Sequence, residues 1–264
     1  MEQAVKISII TPSYNQGQFI EETILSVLNQ TYKNIEYIIV DGGSTDNTME
    51  IVDKYKDRID IIISEKDKGQ SDAINKGFKL ASGKLIGWLN SDDIMYPNCV
   101  EEIVKLYQQH PDGSIYYPSS INYVDSQGKP FYIRKRFITG KNYLLNTDFV
   151  VIQPGSFYER EALRKVNYVD ESIYYCMDLD LWLRLLEAGK IYYYTGLPLS
   201  ALRKWEATKT SLGPDIFFHD ILKTLNKYGA RRWSKTKINI RCTLWRIRGG
   251  KIKRWLLNKL NKTK

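Results

Sequence analysis

The chain is 264 residues long and 43% hydrophobic, enough for one substantial core and a smaller appended lobe, so a globular protein is expected. Three widely separated cysteines with no paired spacing indicate neither a disulfide framework nor a zinc site and fit a reducing compartment; having only His110 and His219 excludes a zinc site built on several imidazoles, so any metal must be held by carboxylates, which favours a hard cation such as Mg2+ or Mn2+. The net charge of +9 is uneven: thirteen of the thirty-nine Lys and Arg lie within 231–264, where there is no acid, and the first 230 residues carry 26 basic against thirty acidic side chains, a net of −4.

In chain order, VKISII (5–10) predicts a strand that ends at TPSYN (11–15). GQFIEETILSVLNQ (17–30) then spaces Phe19, Ile20, Ile24, Val27 and Leu28 as on a helix. IEYIIVD (35–41) predicts a second strand ending in DGGSTDNT, where Ser44 or Thr45 is expected to cap a helix bearing Ile51, Val52 and Tyr55. IDIIIS (59–64) is a third strand, and the segment after it predicts a helix that opens at Ser71-Asp72 and ends at Gly83. KLIGWLN (84–90) is the fourth strand. Apolar strands alternating with helices over short connections predict an α/β fold, a parallel sheet with helices on both faces.

In such sheets ligands bind beyond the carboxyl ends of the strands, where TPSYN, DGGSTD, GQSD and NSDD all fall. Adjacent Asp92 and Asp93 at the end of an apolar strand call for a cation, a proton or a hydrogen-bonding ligand, because two desolvated carboxylates repel. A GxGxxG after the first strand and a GxxxxGK[ST] anywhere are both absent, so a bound diphosphate must be neutralised in another way. Asp92 and Asp93 make sense as the seat of a divalent cation. Asp41 is suited to accept a hydrogen bond from a base or ribose, and Tyr14 to stack on a ring.

TPSYN, VDGGSTDNT, GQSDAINKG and LNSDD, in this order and spacing, resemble the nucleotide-binding half of family 2 glycosyltransferases with the GT-A fold. QPGSFYEREAL (153–163) and MDLDLWLRLLEAGK (177–190) are similar to that family's acceptor-side segments, and the resemblance covers about 5–212. It implies a Rossmann-like donor half (1–110) and an acceptor and catalytic-base half (111–215); the charge and spacing of the remainder mark a basic amphipathic C-terminal region (216–264). The implied activity is inverting transfer from a nucleotide-diphospho-sugar. Carried over by position, Pro12, Tyr14 and Asn15 line the base pocket, Asp41 holds the base edge, and Asp72 sits by the ribose or diphosphate. NSDD corresponds to the family's DxD-type motif, so Asn90, Ser91 and Asp92 face the donor. Asn90 stands where many members have an acid, which leaves Asp92 and Asp93 to hold Mn2+ or Mg2+.

The resemblance also assigns the general base. Inversion needs one group to take the acceptor hydroxyl's proton, and Asp178 is that candidate; Met177 replaces the family's usual Glu. Asp180 is expected to cap the helix that carries Leu181, Trp182 and Leu185. SALRKWEATKT (200–210) resembles the segment that closes over the donor phosphates, with Trp205 in place of the usual His and with Arg203 and Lys209 as diphosphate partners. Gln153 and Ser156 are expected acceptor contacts. The aromatic-rich stretch 114–150 carries a hairpin signal at DSQGK (125–129).

No leader is expected, since Met1-Glu2-Gln3 is acidic, and no run approaches the roughly 20 apolar residues of a membrane span. The tail spaces Ile252, Trp255, Leu256 and Leu260 helically among lysines and arginines, which suits an anionic membrane surface. A cytoplasmic protein, peripheral at the inner face of the membrane and acting on a glycan or lipid-linked glycan, is the resulting expectation. Asn90, Met177 and Trp205 leave open a sugar-nucleotide-binding protein without turnover. The tail alone prompts a nucleic-acid reading, which the body's negative charge disfavours.

Overall fold

The computed structural model describes residues 4–206, 208–209, 214–232, 236, 240 and 243. Strands β1 (Ile7–Ser13), β2 (Ile35–Asp41), β3 (Ile61–Ser64) and β4 (Leu85–Trp88) alternate with helices α1 (Ile20–Leu28), α2 (Thr48–Asp53) and α3 (Gln70–Leu80). All four strands are parallel, in the order β4-β1-β2-β3. Strand β1 runs past its apolar stretch because β2 pairs with it to the end, Pro12 opposite Val40 and Ser13 opposite Asp41. The chain continues through β5 (Ile94–Met95), α4 (Cys99–Gln109), β6 (Gly113–Pro118), β7 (Ser120–Val124), β8 (Pro130–Lys135), α5 (Lys141–Asn146) and β9 (Phe157–Glu159). It then forms α6 (Arg160–Lys165), α7 (Met177–Ala188), β10 (Lys190–Tyr194), β11 (Ser200–Arg203) and α8 (Pro214–Lys227).

A period of two along each strand sends alternate side chains to opposite faces, and both faces are apolar. Ile7, Ile9, Tyr37, Ile39 and Leu85 pack with α1 and α4, whereas Ile10, Ile38, Val40, Ile86 and Trp88 pack with α3 and α7. Helix α3 lies close on β1: a Cβ at Gly77 would come within 2.4 Å of Ile10. The short antiparallel strand β9 pairs with β4 on one side and β6 on the other, which extends the sheet, among the described residues, to seven strands, β10-β6-β9-β4-β1-β2-β3. The expected boundary at 110/111 thus falls inside a chain segment whose two sides share one sheet. A second sheet runs in the order β5-β11-β7-β8.

Local differences from the sequence reading have local causes. Neither Ser44 nor Thr45 caps α2; Asp46 accepts from the Thr48 N–H at 3.0 Å, and the Ser44 hydroxyl donates to Asp41. Helix α3 opens at Gln70 and stops at Leu80, because Lys84 must return in extended form to donate its N–H to the Lys6 carbonyl at 2.7 Å. The hairpin signal holds: β7 and β8 are antiparallel around Asp125–Lys129, with Gly128 at φ +77°. Cys99 and Cys176 are buried free thiols. No helix among the described residues is long and apolar enough to cross a membrane, and the amphipathic segment expected over 251–264 lies outside them.

Candidate active site

The loops after β1 and β2 are fastened to each other. Asn15 sits at φ 50°, a left-handed conformation asparagine tolerates. Its N–H donates to the Ser44 hydroxyl and its side-chain oxygen accepts from the Thr45 N–H, each at 2.8 Å. Pro12 is buried in β1, and Tyr14 stands out at 58% exposed, free to lie against a flat ligand. Asp41 has no exposed surface: it accepts from the Gly43 and Ser44 N–H groups and from the hydroxyls of Ser44 and Ser64. It therefore shapes the loop behind the expected base edge. Asp72 likewise closes the turn before α3, accepting from the Lys68 N–H at 3.0 Å, a bond that lowers its pKa.

After β4 the two neighbouring acids part in role. Asp93 is 2% exposed, with Oδ1 accepting from the Arg203 N–H at 3.0 Å and Oδ2 from the Asn90 amide at 3.1 Å. Asp92 is half-buried, and its Oδ2 accepts from the Trp205 indole N–H at 3.1 Å. Burial raises both pKa values, and the charge of Asp92 raises Asp93 further. Lys204 stands near the pair; burial lowers its pKa while Asp93 and Asp92 pull it back up. Ser91 is buried beneath them.

On the facing wall, Asp178 lies in the first turn of α7, half-buried, with the Leu179 N–H at 2.8 Å from its Oδ1. Burial pushes its carboxyl up to about 6, against a downward pull from Lys209. Lys209 is itself lowered to about 8 by burial; its ammonium lies 3.8 Å from the centre of the Tyr174 ring. The Gln70 amide joins the two walls, accepting from Lys209 Nζ at 3.2 Å and donating to Asn90 Oδ1 at 3.0 Å. In the sequence Gln70 stood only inside the GQSD cluster after the third strand, with no role of its own.

Other expected site residues are buried and engaged within the protein. Arg203 is 2% exposed: Nε donates to the Asp92 carbonyl at 2.9 Å, Nη1 to the carbonyls of Asp125 and Ser126, and Nη2 to Glu22. It fastens loops together. Gln153 is buried and braces Asn90 at 3.3 Å and the Trp88 carbonyl at 2.7 Å, and Ser156 is fully buried with its hydroxyl donating to the Ile152 carbonyl. Asp180 is not a cap. Its fully buried carboxylate joins Arg184 at 2.7 Å, Lys227 at 3.0 Å and the Tyr228 hydroxyl at 2.8 Å, tying α7 to the end of α8.

Among the described residues no group of three or more His, Cys, Asp or Glu is placed to hold a metal. The donor set at β4 nonetheless fits a hard cation of the kind that binds through one or two carboxylates and takes its remaining oxygens from phosphate and water. Trp205 occupies one oxygen of Asp92, while Asp93 is engaged through both of its oxygens. Asp92 is thus the better-placed ligand of the two.

The family model described as Glycosyl transferase family 2 matches residues 8–166. An uncharacterized glycosyltransferase of Rickettsia prowazekii is 30% identical over 250 residues, covering 84% of this chain and 73% of the relative. Among solved structures, S. aureus TarS 1-349 in complex with UDP-GlcNAc aligns with a TM-score of 0.67 at 19% identity, over 83% of this chain and 65% of that one. The mannosyltransferase PcManGT of Pyrobaculum calidifontis, in complex with GDP-Man and Mn2+, aligns with a TM-score of 0.65 at 15% identity, over 92% and 70%. At these identities the two structures speak for the fold, a GT-A arrangement.

Proposed function

Because the chain belongs to glycosyl transferase family 2, we propose that it moves a sugar from a UDP- or dTDP-linked donor to a hydroxyl of a glycan acceptor, with inversion at the anomeric carbon. The observation that carries this reading is the Asp178 carboxyl, raised to about 6 by burial and lying beside Lys209, which Gln70 ties to Asn90 of the NSDD loop. A base with that pKa is ionised at neutral pH and basic enough to accept a hydroxyl proton as the reaction proceeds. The acceptor oxygen attacks the anomeric carbon from the side opposite the diphosphate, Asp178 takes its proton, and the bond to the diphosphate breaks with its electron pair leaving on the nucleotide. Lys209 holds Asp178 in its ionised form and, with Lys204, brings positive charge to the cleft. Asp92, with Asp93 behind it, would hold Mn2+ or Mg2+, which when bound neutralises charge on the leaving diphosphate. Tyr14 offers its exposed ring to the base, and Asn15 and Asp41 keep the loop around it in shape.

The fold likeness to a UDP-GlcNAc complex and to a GDP-Man and Mn2+ complex supports a nucleotide-sugar donor and a cation. The same reading puts the acceptor on a lipid carrier, and the basic segment 231–264 on an anionic bilayer at the inner face of the membrane. The test is a thermal-shift panel of UDP-, dTDP- and GDP-sugars with Mn2+, Mg2+ or EDTA, since a ligand that binds only the folded state raises its melting temperature. Stabilisation by one nucleotide sugar, retained in Asp178→Asn while transfer is lost, is the expected result. No stabilisation under any condition, or transfer by Asp178→Asn at the wild-type rate, overturns the reading.

A further inference from the structure

Among the described residues strand β8 is the outermost strand of the second sheet, paired with β7 on one side only. It is exposed along almost its whole length. Phe131, Tyr132 and Ile133 are each half or more exposed, and Phe137 follows at 48%. Since neighbouring residues on a strand point to opposite faces, apolar side chains stand bare on both sides of this hairpin. An exposed apolar edge strand invites association unless something covers it.

The charge around it is one-sided. From Ser126 to Thr147 the sequence has no acid and five basic residues, Lys129, Arg134, Lys135, Arg136 and Lys141. Arg134 lies over the Tyr123 ring at 5.1 Å and Arg136 pairs with Asp148 at 2.7 Å, so Lys129 and Lys135, both exposed, form the outer basic rim. The hairpin is also joined to the candidate site. Arg203 holds the carbonyls of Asp125 and Ser126 in the turn with the same guanidinium that holds the Asp92 carbonyl.

We propose that the β7–β8 hairpin is a docking surface for an anionic lipid bilayer. Phe131, Tyr132, Ile133 and Phe137 enter the interfacial layer, where aromatic rings are at home, and Lys129 and Lys135 meet the headgroups. Charge selects this occupant. A second copy adding its own β8 would bring two acid-free basic strands side by side, and like charges opposed across strands are destabilising. The inference stands apart from the donor chemistry and from the basic tail, and it gives the membrane a contact beside the reaction cleft.

Amide hydrogen exchange of the full chain, with phosphatidylcholine vesicles containing or lacking phosphatidylglycerol, tests it. Slowed exchange over 130–137 is expected with the anionic vesicles only. The combined variant Phe131→Ser, Ile133→Thr, Lys135→Glu should lower the vesicle partition coefficient about tenfold with the near-ultraviolet circular dichroism unchanged. Protection confined to residues after 231, or a variant that partitions as wild type, overturns the proposal. So does protection of 130–137 that grows with protein concentration in the absence of vesicles, which would assign the strand to a second copy.

Discussion

The indole N–H of Trp205 donates to Oδ2 of Asp92 at 3.1 Å, while the same ring meets the Phe19 ring edge-on at 5.1 Å between centroids. Phe19 in turn lies under the Arg203 guanidinium at 4.7 Å. The orientation of Asp92 is therefore set from the side by a stack of three side chains. Trp205→Phe keeps the ring contact and removes the donor. A hydrogen bond to a charged group contributes about 1.5–3 kcal/mol, so donor affinity measured calorimetrically should fall by about tenfold or more. An unchanged affinity would show that Asp92 is positioned by other means.

The two acids of NSDD should separate under mutation. Asp92→Ala is expected to abolish the dependence of nucleotide-induced stabilisation on Mn2+ or Mg2+ while the apoprotein melts within a few degrees of wild type. Asp93→Ala removes a buried acceptor shared by the Arg203 N–H and Asn90, so the apoprotein itself should lose about 1–3 kcal/mol. Melting curves with EDTA and with cation distinguish the two, and an Asp93→Ala protein as stable as wild type would refute the division of labour.

Activity should rise and fall with pH. Asp178 must be ionised, with its carboxyl at about 6, and Lys209 must be protonated, with its ammonium at about 8. The profile of kcat/KM is then a bell with limbs near those values, since it reports the free enzyme. Lys209→Met should remove the alkaline limb. It should also move the acid limb upward, because the lysine's charge holds the carboxyl down. A profile flat across neutral pH in wild type would exclude both groups from the reaction.

Losing the base should make the fold more stable. Asp178 has its pKa raised on folding, so the folded state holds its proton more tightly, and stability declines as pH rises from the ordinary carboxyl range through about 6. Asp178→Asn lacks that penalty. Allowing for the partial exposure of the group, the variant should be about 1–2 kcal/mol more stable than wild type above pH 6, and equal to it near pH 4. A variant less stable at neutral pH would mean that the carboxylate is held by partners that welcome its charge.

Arg203→Lys keeps the charge and loses the fork that reaches two loops and helix α1 at once. The carbonyls of Asp92, Asp125 and Ser126 lose donors, at a cost of about 1–3 kcal/mol that chemical denaturation would measure. A loss of donor affinity without loss of stability would instead return Arg203 to the phosphate-binding role its position in the sequence suggested.

The parts legible in the sequence are those decided within a few residues. Strands β1, β2 and β4 read clearly because both of their faces are buried, which makes them continuous apolar runs, and the acids that follow them mark the ligand-binding edge. Asp92 stood out as one of two adjacent acids ending an apolar strand, whereas Asp178 was singled out only through the family resemblance of the helix it opens. What stayed hidden depends on partners far along the chain. Asp180 looks like a cap until Lys227 and Tyr228 come back to it, and Arg203 looks like a free cation until Glu22, from the first helix, meets it. Asp41 lost its place facing the base because the serines of its own loop and Ser64 surround it. Gln70 has no charge to announce it, and its role exists only once α3, β4 and Lys209 are assembled.

The antiparallel insertion of β9 between β4 and β6 bears on how such a protein can be re-engineered. Donor and acceptor recognition read as two cassettes in the sequence, yet Ile86 faces Tyr158 across one ladder and Ile115 faces the same residue across the next. A chimera spliced at residue 110 would pair a foreign β9 with the native β4, where Phe157 already crowds Gly87 to the limit of contact. Exchange of acceptor preference is better attempted loop by loop on an intact sheet than by grafting one half onto another.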